Sequence, residues 1–190
     1  YNDFIARFPE DYIIAPNETL VLGLHNNEIF SNYYGYDADL TLFEDMRNAF
    51  DGVTTISLSN AFVNQDMLDD DSEILMLFFY EEGTDLVKDI DYFIWGGTEE
   101  AIDKTGVANY LNDTPTDNQL PYYSHGLDST YVRSILSSEG NEVLTGGNGI
   151  TGHDETSEDF PNTWNVILSP EIIYGCINSE ACNFDSSATF

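Results

Sequence analysis

Two apolar runs separated by four polar residues constrain this chain more than any other feature. "EILMLFFY" (73–80) and "DLVKDIDYFIW" (85–95) flank the link Glu81-Glu82-Gly83-Thr84. β-Branched and aromatic residues on both sides of a short turn predict an antiparallel hairpin. The second arm carries Asp89 and Asp91, two residues apart. Residues i and i+2 of a strand project from the same face. The spacing therefore puts both carboxylates beside Val87, Phe93 and Trp95. An unpaired carboxylate is costly to bury, so the pair needs a reason. One reason is structural: Lys88, Arg133 or backbone N–H groups of the 96–129 stretch partner the carboxylates and anchor that stretch. A second is a metal ion held between strand and loop. A third is a solvent-facing bulge.

Other strand-like runs are short and punctuated by turns: "YIIAP" (12–16), "TLVLGLH" (19–25), "TTISLS" (54–59), "TYVRSIL" (130–136) and "TWNVILS" (163–169). Helical periodicity is weak, and "LTLFEDMRNAF" (40–50) alone fits a short helix. Many short strands joined by Gly, Asn and Asp turns predict an all-β sandwich. Residues 96–129 and 146–162 hold few strand signals, so they read as long loops with a job.

Charge narrows the partners. Five Lys and Arg face 35 Asp and Glu, a net charge of −30. That balance repels nucleic acid and anionic membrane surfaces, and favours divalent cations or basic and neutral partners such as glycans. Solubility alone is the competing explanation of the acidity. Twelve Tyr, twelve Phe and two Trp rule out a solvated acidic tail. No apolar run is long enough for a transmembrane helix. The opening "YNDFIARFPEDY" reads as the interior of a longer chain.

The order of these segments resembles the lamin-tail domain, an immunoglobulin-like β-sandwich. "IIAPNETLVLGLH", "SLSN" and "SEILMLFFYEEGTDLVKDIDYFIWG" resemble that family's central motifs, including the Asp-x-x-Tyr of Asp89 and Tyr92. "DTPTDNQLPYYSHGLDSTYVRS" and "GGNGITGHDETSEDFPNTW" resemble the closing segments of its bacterial secreted members. The resemblance spans about 8–170 and implies one sandwich domain over 1–170. It departs in two places. The family's opening strands do not precede Tyr1, and the link "AFVNQDMLDDD" (61–71) is long and acidic. The resemblance then implies that a preceding segment or a neighbouring chain supplies the missing strands.

The tail "YGCINSEACNFDSSATF" resembles a G-C-x5-A-C-N-F cysteine repeat of secreted Bacteroidota proteins, a small separate unit over 171–190. It implies a secreted or cell-surface protein. Cys176 and Cys182 are close enough in sequence for a short-loop disulfide, against two unrelated thiols.

Catalytic motifs do not emerge. His25, His125 and His153 are scattered, and neither H-E-x-x-H nor G-x-S-x-G occurs. Carboxylates follow the glycines of "GGNGITG", which would repel a phosphate. The expectation is a protein that is not an enzyme.

Calcium fits the acidic loops better, because it takes six to eight oxygen ligands. The candidate ligands are Asp66, Asp69, Asp70, Asp71 and Glu73 in one loop, and Asp154, Glu155, Glu158 and Asp159 in another. Asp37 and Asp39 form a lesser pair. Ser129, in Asp128-Ser129-Thr130, resembles a Bacteroidota O-glycosylation site, and Asn17 and Asn112 lie in N-x-T sequons. Two functions compete. One is an adhesion or assembly module with protein partners, copies of itself included. The other is a carbohydrate-binding or targeting module of a secreted enzyme, using Tyr33, Tyr34, Tyr36, Tyr122 and Tyr123.

Overall fold

The computed structural model describes residues 4–56, 68–80, 83–84, 86–126, 129–134, 142 and 144–168. They divide into two compact units, one within 4–68 and one within 69–168. The sequence reading puts 1–170 into one domain. Asp66, Cys176 and Cys182 lie outside the described residues.

The first unit holds β1 (Ala6–Arg7), β2 (Leu22–Gly23), α1 (Asn27–Tyr34), β3 (Leu40–Thr41) and β4 (Arg47–Asn48). β1 pairs antiparallel with β4, and β2 pairs parallel with β3. Leu40, Leu42, Phe43 and Met46 form its buried centre, with Phe4, Phe8, Leu20 and Leu22 packed around them. The helix is not where periodicity places it. In 40–50, the Asp45 carboxylate accepts from Thr41 N (2.8 Å) and Thr41 Oγ1 (3.0 Å). That local bond competes with helix propagation, and the chain makes one turn before extending into β4. The helix sits earlier. Asn26 caps it by accepting from Ile29 N at 2.9 Å, and Gly35 ends it in the left-handed region at φ 78°.

The second unit holds β5 (Glu73–Tyr80), β6 (Val87–Trp95), β7 (Ser129–Arg133), α2 (Phe160–Thr163) and β8 (Trp164–Leu168). β5 and β6 form the antiparallel hairpin expected from the two apolar runs. Residues 96–126 contain one short 3-10 turn, Thr116–Asn118, and isolated bridges at Leu120 and Tyr122. Gly96 makes the exit from β6 possible. Its φ is +79°, and a Cβ there would lie 1.7 Å from the Asp71 carbonyl oxygen.

β7 and β8 form a second antiparallel ladder. Aromatic side chains join the two ladders. Phe93 of β6 lies 4.1 Å from Trp164, 5.0 Å from Tyr131 and 5.4 Å, edge-on, from Phe160, measured between ring centroids. Offset and edge-on pairs of this kind add to the burial energy. The molecule is β-rich. Its described sheets are four two-stranded ladders rather than the broad sheets of a sandwich.

Candidate functional site

The two aspartates of β6 resolve into two different charged centres, and a bulge separates them. Leu77 pairs with Asp91 and Phe78 with Asp89, which leaves Ile90 as an extra residue in β6. A bulge re-aims neighbouring side chains. Asp89 is 1% exposed, and its Oδ2 accepts from Lys104 Nζ at 2.7 Å. The same ammonium lies 3.0 Å from Asp113 Oδ2, which also accepts from Lys104 N at 2.8 Å. Asn148 donates to the other oxygen of Asp113 and exchanges two bonds with the backbone of Leu111. The backbone of Asp89 completes the knot: its N–H donates to Asn148 O, and its carbonyl accepts from Ile150 N. Three stretches far apart in sequence thus meet at one residue.

The knot extends through hydroxyls and amides. Thr114 Oγ1 donates to Asp154 Oδ2 at 2.7 Å, and Asp154 Oδ1 accepts from Thr156 N and Oγ1. Tyr92 Oη donates to Gln119 Oε1 at 3.0 Å, while Gln119 Nε2 donates to the carbonyls of Ile102 and Thr114. A cavity of about 310 Å³ opens beside it, lined in part by Asp113, Asp154, Thr105, Thr114 and Thr145. The carboxylates there are already bonded to Lys104 and to threonines.

One ammonium between two carboxylates, with Asp154 nearby, leaves the knot net negative. Burial raises the Asp89 pKa above the ordinary aspartate value. Lys104 opposes that shift, and Asp113 and Asp154 reinforce it. Burial works to lower Lys104, but its bonds to Asp89 and Asp113 prevail and raise it. The two groups thus shift the same way for different reasons, Asp89 chiefly through burial and Lys104 through its carboxylate partners. Asp89 Oδ1 is buried without a hydrogen-bond partner among the described residues.

The second centre belongs to Asp91, whose side chain is 41% exposed. Arg133 Nη2 donates to Asp91 Oδ1 at 2.7 Å. Arg133 faces Trp164 across the β7–β8 ladder, and its guanidinium lies 5.0 Å from the Trp164 ring. Trp164 Nε1 donates to the buried Glu158 at 3.2 Å. Burial raises Glu158 above the ordinary glutamate value, against Thr163 and Arg133.

The carboxylates expected to bind calcium make the following contacts within the fold. Asp154, Glu155 and Glu158 are buried. Asp154 caps the 3-10 turn Glu155–Ser157. Asp159 accepts from Asn162 Nδ2 at 2.8 Å in the first turn of α2. Asp69 and Asp71 close a tight turn through Asp71 N to Asp69 Oδ1, and the Asp69 carbonyl accepts from Trp95 Nε1. Asp70 stands 3.6 Å from His125 Nε2, and Glu73 accepts from Ile74 N. In the first unit, Asp39 accepts from Val21 N. Among the described residues, no three His, Cys, Asp or Glu side chains are placed to hold one metal ion. Ser129 opens β7 and is half-buried.

Lys104, Asp113, Gln119 and Asn148 escaped the sequence reading. One signal pointed to Lys104: it is the only Lys or Arg between 96 and 129 in a chain that has five.

β5 presents a third feature. Its residues alternate, and one face stays outside: Leu75, Leu77 and Phe79 are 49%, 41% and 44% exposed. β6 uses one edge of β5, and among the described residues no strand pairs with the other. Comparison with protein-family models, curated proteins and solved structures gives no match.

Proposed function

We propose that this chain is a non-catalytic binding and assembly module of a secreted or cell-surface protein, and that β5 receives an extended segment of a neighbouring protein. The observation that carries this reading is the alternation of exposed Leu75, Leu77 and Phe79 on a strand whose second edge is unpaired among the described residues. Such an edge offers N–H and C=O groups to an added strand, while alternate side chains select it. Covering three half-exposed apolar side chains contributes about 3 kcal/mol before ordering costs. Charge selects the partner. A second copy brings the same −30, whereas a basic segment meets Asp69, Asp70, Asp71 and Glu73 at the start of β5. The architecture implied is a lamin-tail-like sandwich completed by that strand.

The paired carboxylates fit this reading better than a hydrolase. Asp89, Asp91, Asp113 and Asp154 are engaged by cations and hydroxyls of their own fold. Calcium enters the proposal only as the expectation for the acidic stretch of Asp69, Asp70, Asp71 and Glu73, whose residues are exposed or half-buried as Asp159 is, and whose side chains would have to converge to hold an ion. Melting in EDTA, Ca²⁺ and Mg²⁺ tests it: a rise specific to Ca²⁺ supports a site, and equal rises reduce it to screening.

The docking test uses a synthetic decapeptide of alternating Val and Lys, titrated against the whole chain. Binding should fall at least tenfold when alternate backbone nitrogens are methylated, and again in Leu77→Asp. Equal binding of the methylated peptide, or no binding at all, would sink the proposal.

A further inference from the structure

The first unit carries a surface independent of β5 in which aromatic rings are mounted rigidly and left in solvent. α1 is capped at both ends, by Asn26 and by Gly35. Asn27 adds a clamp: its Oδ1 accepts from Ala38 N at 2.9 Å, and its own N–H donates to Glu44 Oε2 at 2.8 Å. The clamp folds residues 35–38 back along the helix and brings Tyr36 edge-on to Phe30, 5.6 Å between centroids. Phe30 also packs against Tyr34 at 4.6 Å, and Tyr33 meets Tyr34 edge-on at 4.8 Å. Gly23 leaves room for Phe30, since a Cβ there would lie 3.1 Å from its ring.

Phe30 is the inner ring of this group. Tyr33, Tyr34 and Tyr36 remain 55%, 41% and 51% exposed. Rings that served packing alone would turn inward, because each tyrosine has a large apolar area to hide. Here the fold uses two helix caps and a side-chain clamp to hold three of them outward. The phenols are also close to one another. Burial first, then the phenols of Tyr33 and Tyr36, raises the Tyr34 pKa.

We propose that the Tyr33–Tyr34–Tyr36 patch binds a neutral glycan. A pyranose presents an apolar C–H face that stacks on an aromatic ring, and hydroxyls that bond with phenols and carboxylates. Asp37, next in the chain, is exposed and supplies such an acceptor. The net charge of −30 turns away uronic acids, sulfated sugars and sialylated chains, which leaves uncharged sugars. The inference does not depend on strand docking at β5, which lies in the other unit.

The test is titration of the whole chain with cellohexaose, mannohexaose and maltohexaose, followed through the tyrosine ring signals by NMR. Polygalacturonate and choline serve as anionic and cationic controls. At least one neutral hexaose should bind at millimolar concentration or below. Tyr33→Ala should weaken it at least tenfold, about 1.4 kcal/mol. Tyr33→Phe should retain the stacking part of the affinity. Tyr33 is the most exposed of the three, and an unchanged melting temperature of Tyr33→Ala separates lost binding from lost packing against Tyr34. The proposal is overturned if no hexaose shifts the rings, if Tyr33→Ala binds equally well, or if choline alone binds.

Discussion

The two charged centres of β6 start from the same residue type two positions apart and end in different physics. Asp89 is buried, shares one ammonium with Asp113, and ties down three stretches of backbone. Asp91 keeps part of its surface in water, although burial still raises its carboxyl above the ordinary aspartate value against Arg133, and it meets a guanidinium that also rests on Trp164. In the first centre, removing the cation strands several carboxylates away from solvent. In the second, water can take over part of the lost partnership through the exposed share of Asp91. The difference teaches that an ion pair's weight depends less on its length, 2.7 Å in both, than on what happens to the survivor.

Lys104→Met should have the largest effect. It leaves Asp89 and Asp113 buried without a counter-charge, and about 3–5 kcal/mol of unfolding free energy should disappear in a urea titration. A loss near zero would mean that water reaches the knot. Arg133→Met should cost about 1–2 kcal/mol, the contact with Trp164 included, because Asp91 can be rehydrated. If it cost as much as Lys104→Met, the comparison would fail.

Asp89→Asn should change stability at pH 7 by only about 1 kcal/mol in either direction, because it relieves the negative excess while keeping an oxygen for Lys104. A group with a raised folded pKa contributes stability fully below its unfolded value, and loses it as pH rises through the folded one. For Asp89 that window starts near 3.9 and extends upward. Acidification from neutrality should therefore narrow any advantage of Asp89→Asn over the wild type.

The smallest effect over ordinary conditions is on the alkaline side. Lys104, Tyr92 and Tyr131 all have raised pKa values. For both tyrosines burial is the main cause, while Lys104 owes its rise to Asp89 and Asp113. Their contributions are complete below about pH 10 and decline above it. Urea midpoints should be level from neutrality to about pH 9.5 and fall beyond. A fall already at pH 8 would assign the loss to other groups.

Local features were readable from the sequence. The β5–β6 hairpin follows from two adjacent apolar runs, and Arg133 was among the partners named for Asp89 and Asp91. Lys104 was not named. A pairing across 15 residues, from inside β6 into the irregular stretch beyond it, leaves no periodic trace, and Asn148 reaches Leu111 across 37. α1 was missed because "NNEIFSNYYG" is signalled by its caps, Asn26 and Gly35, more than by its apolar pattern. The burial of Asp154, Glu155 and Glu158 is not legible in the sequence, because no periodic signal marks these residues as interior.

The scarcity of positive residues gives the molecule a built-in proteolytic clock. Trypsin has five places to cut, after Arg7, Arg47, Lys88, Lys104 and Arg133. Lys88 is exposed on β6, but Lys104 and Arg133 hold their side chains inside the two centres. Cleavage after either one has to wait for its centre to open. In a chain whose Arg7, Arg47 and Lys88 are replaced by Gln, so that no earlier cut intervenes, the two cutting rates under dilute protease therefore report two local opening equilibria. Cleavage after Arg133 should come first, and the interval before cleavage after Lys104 measures how much deeper the knot around Asp89 is held.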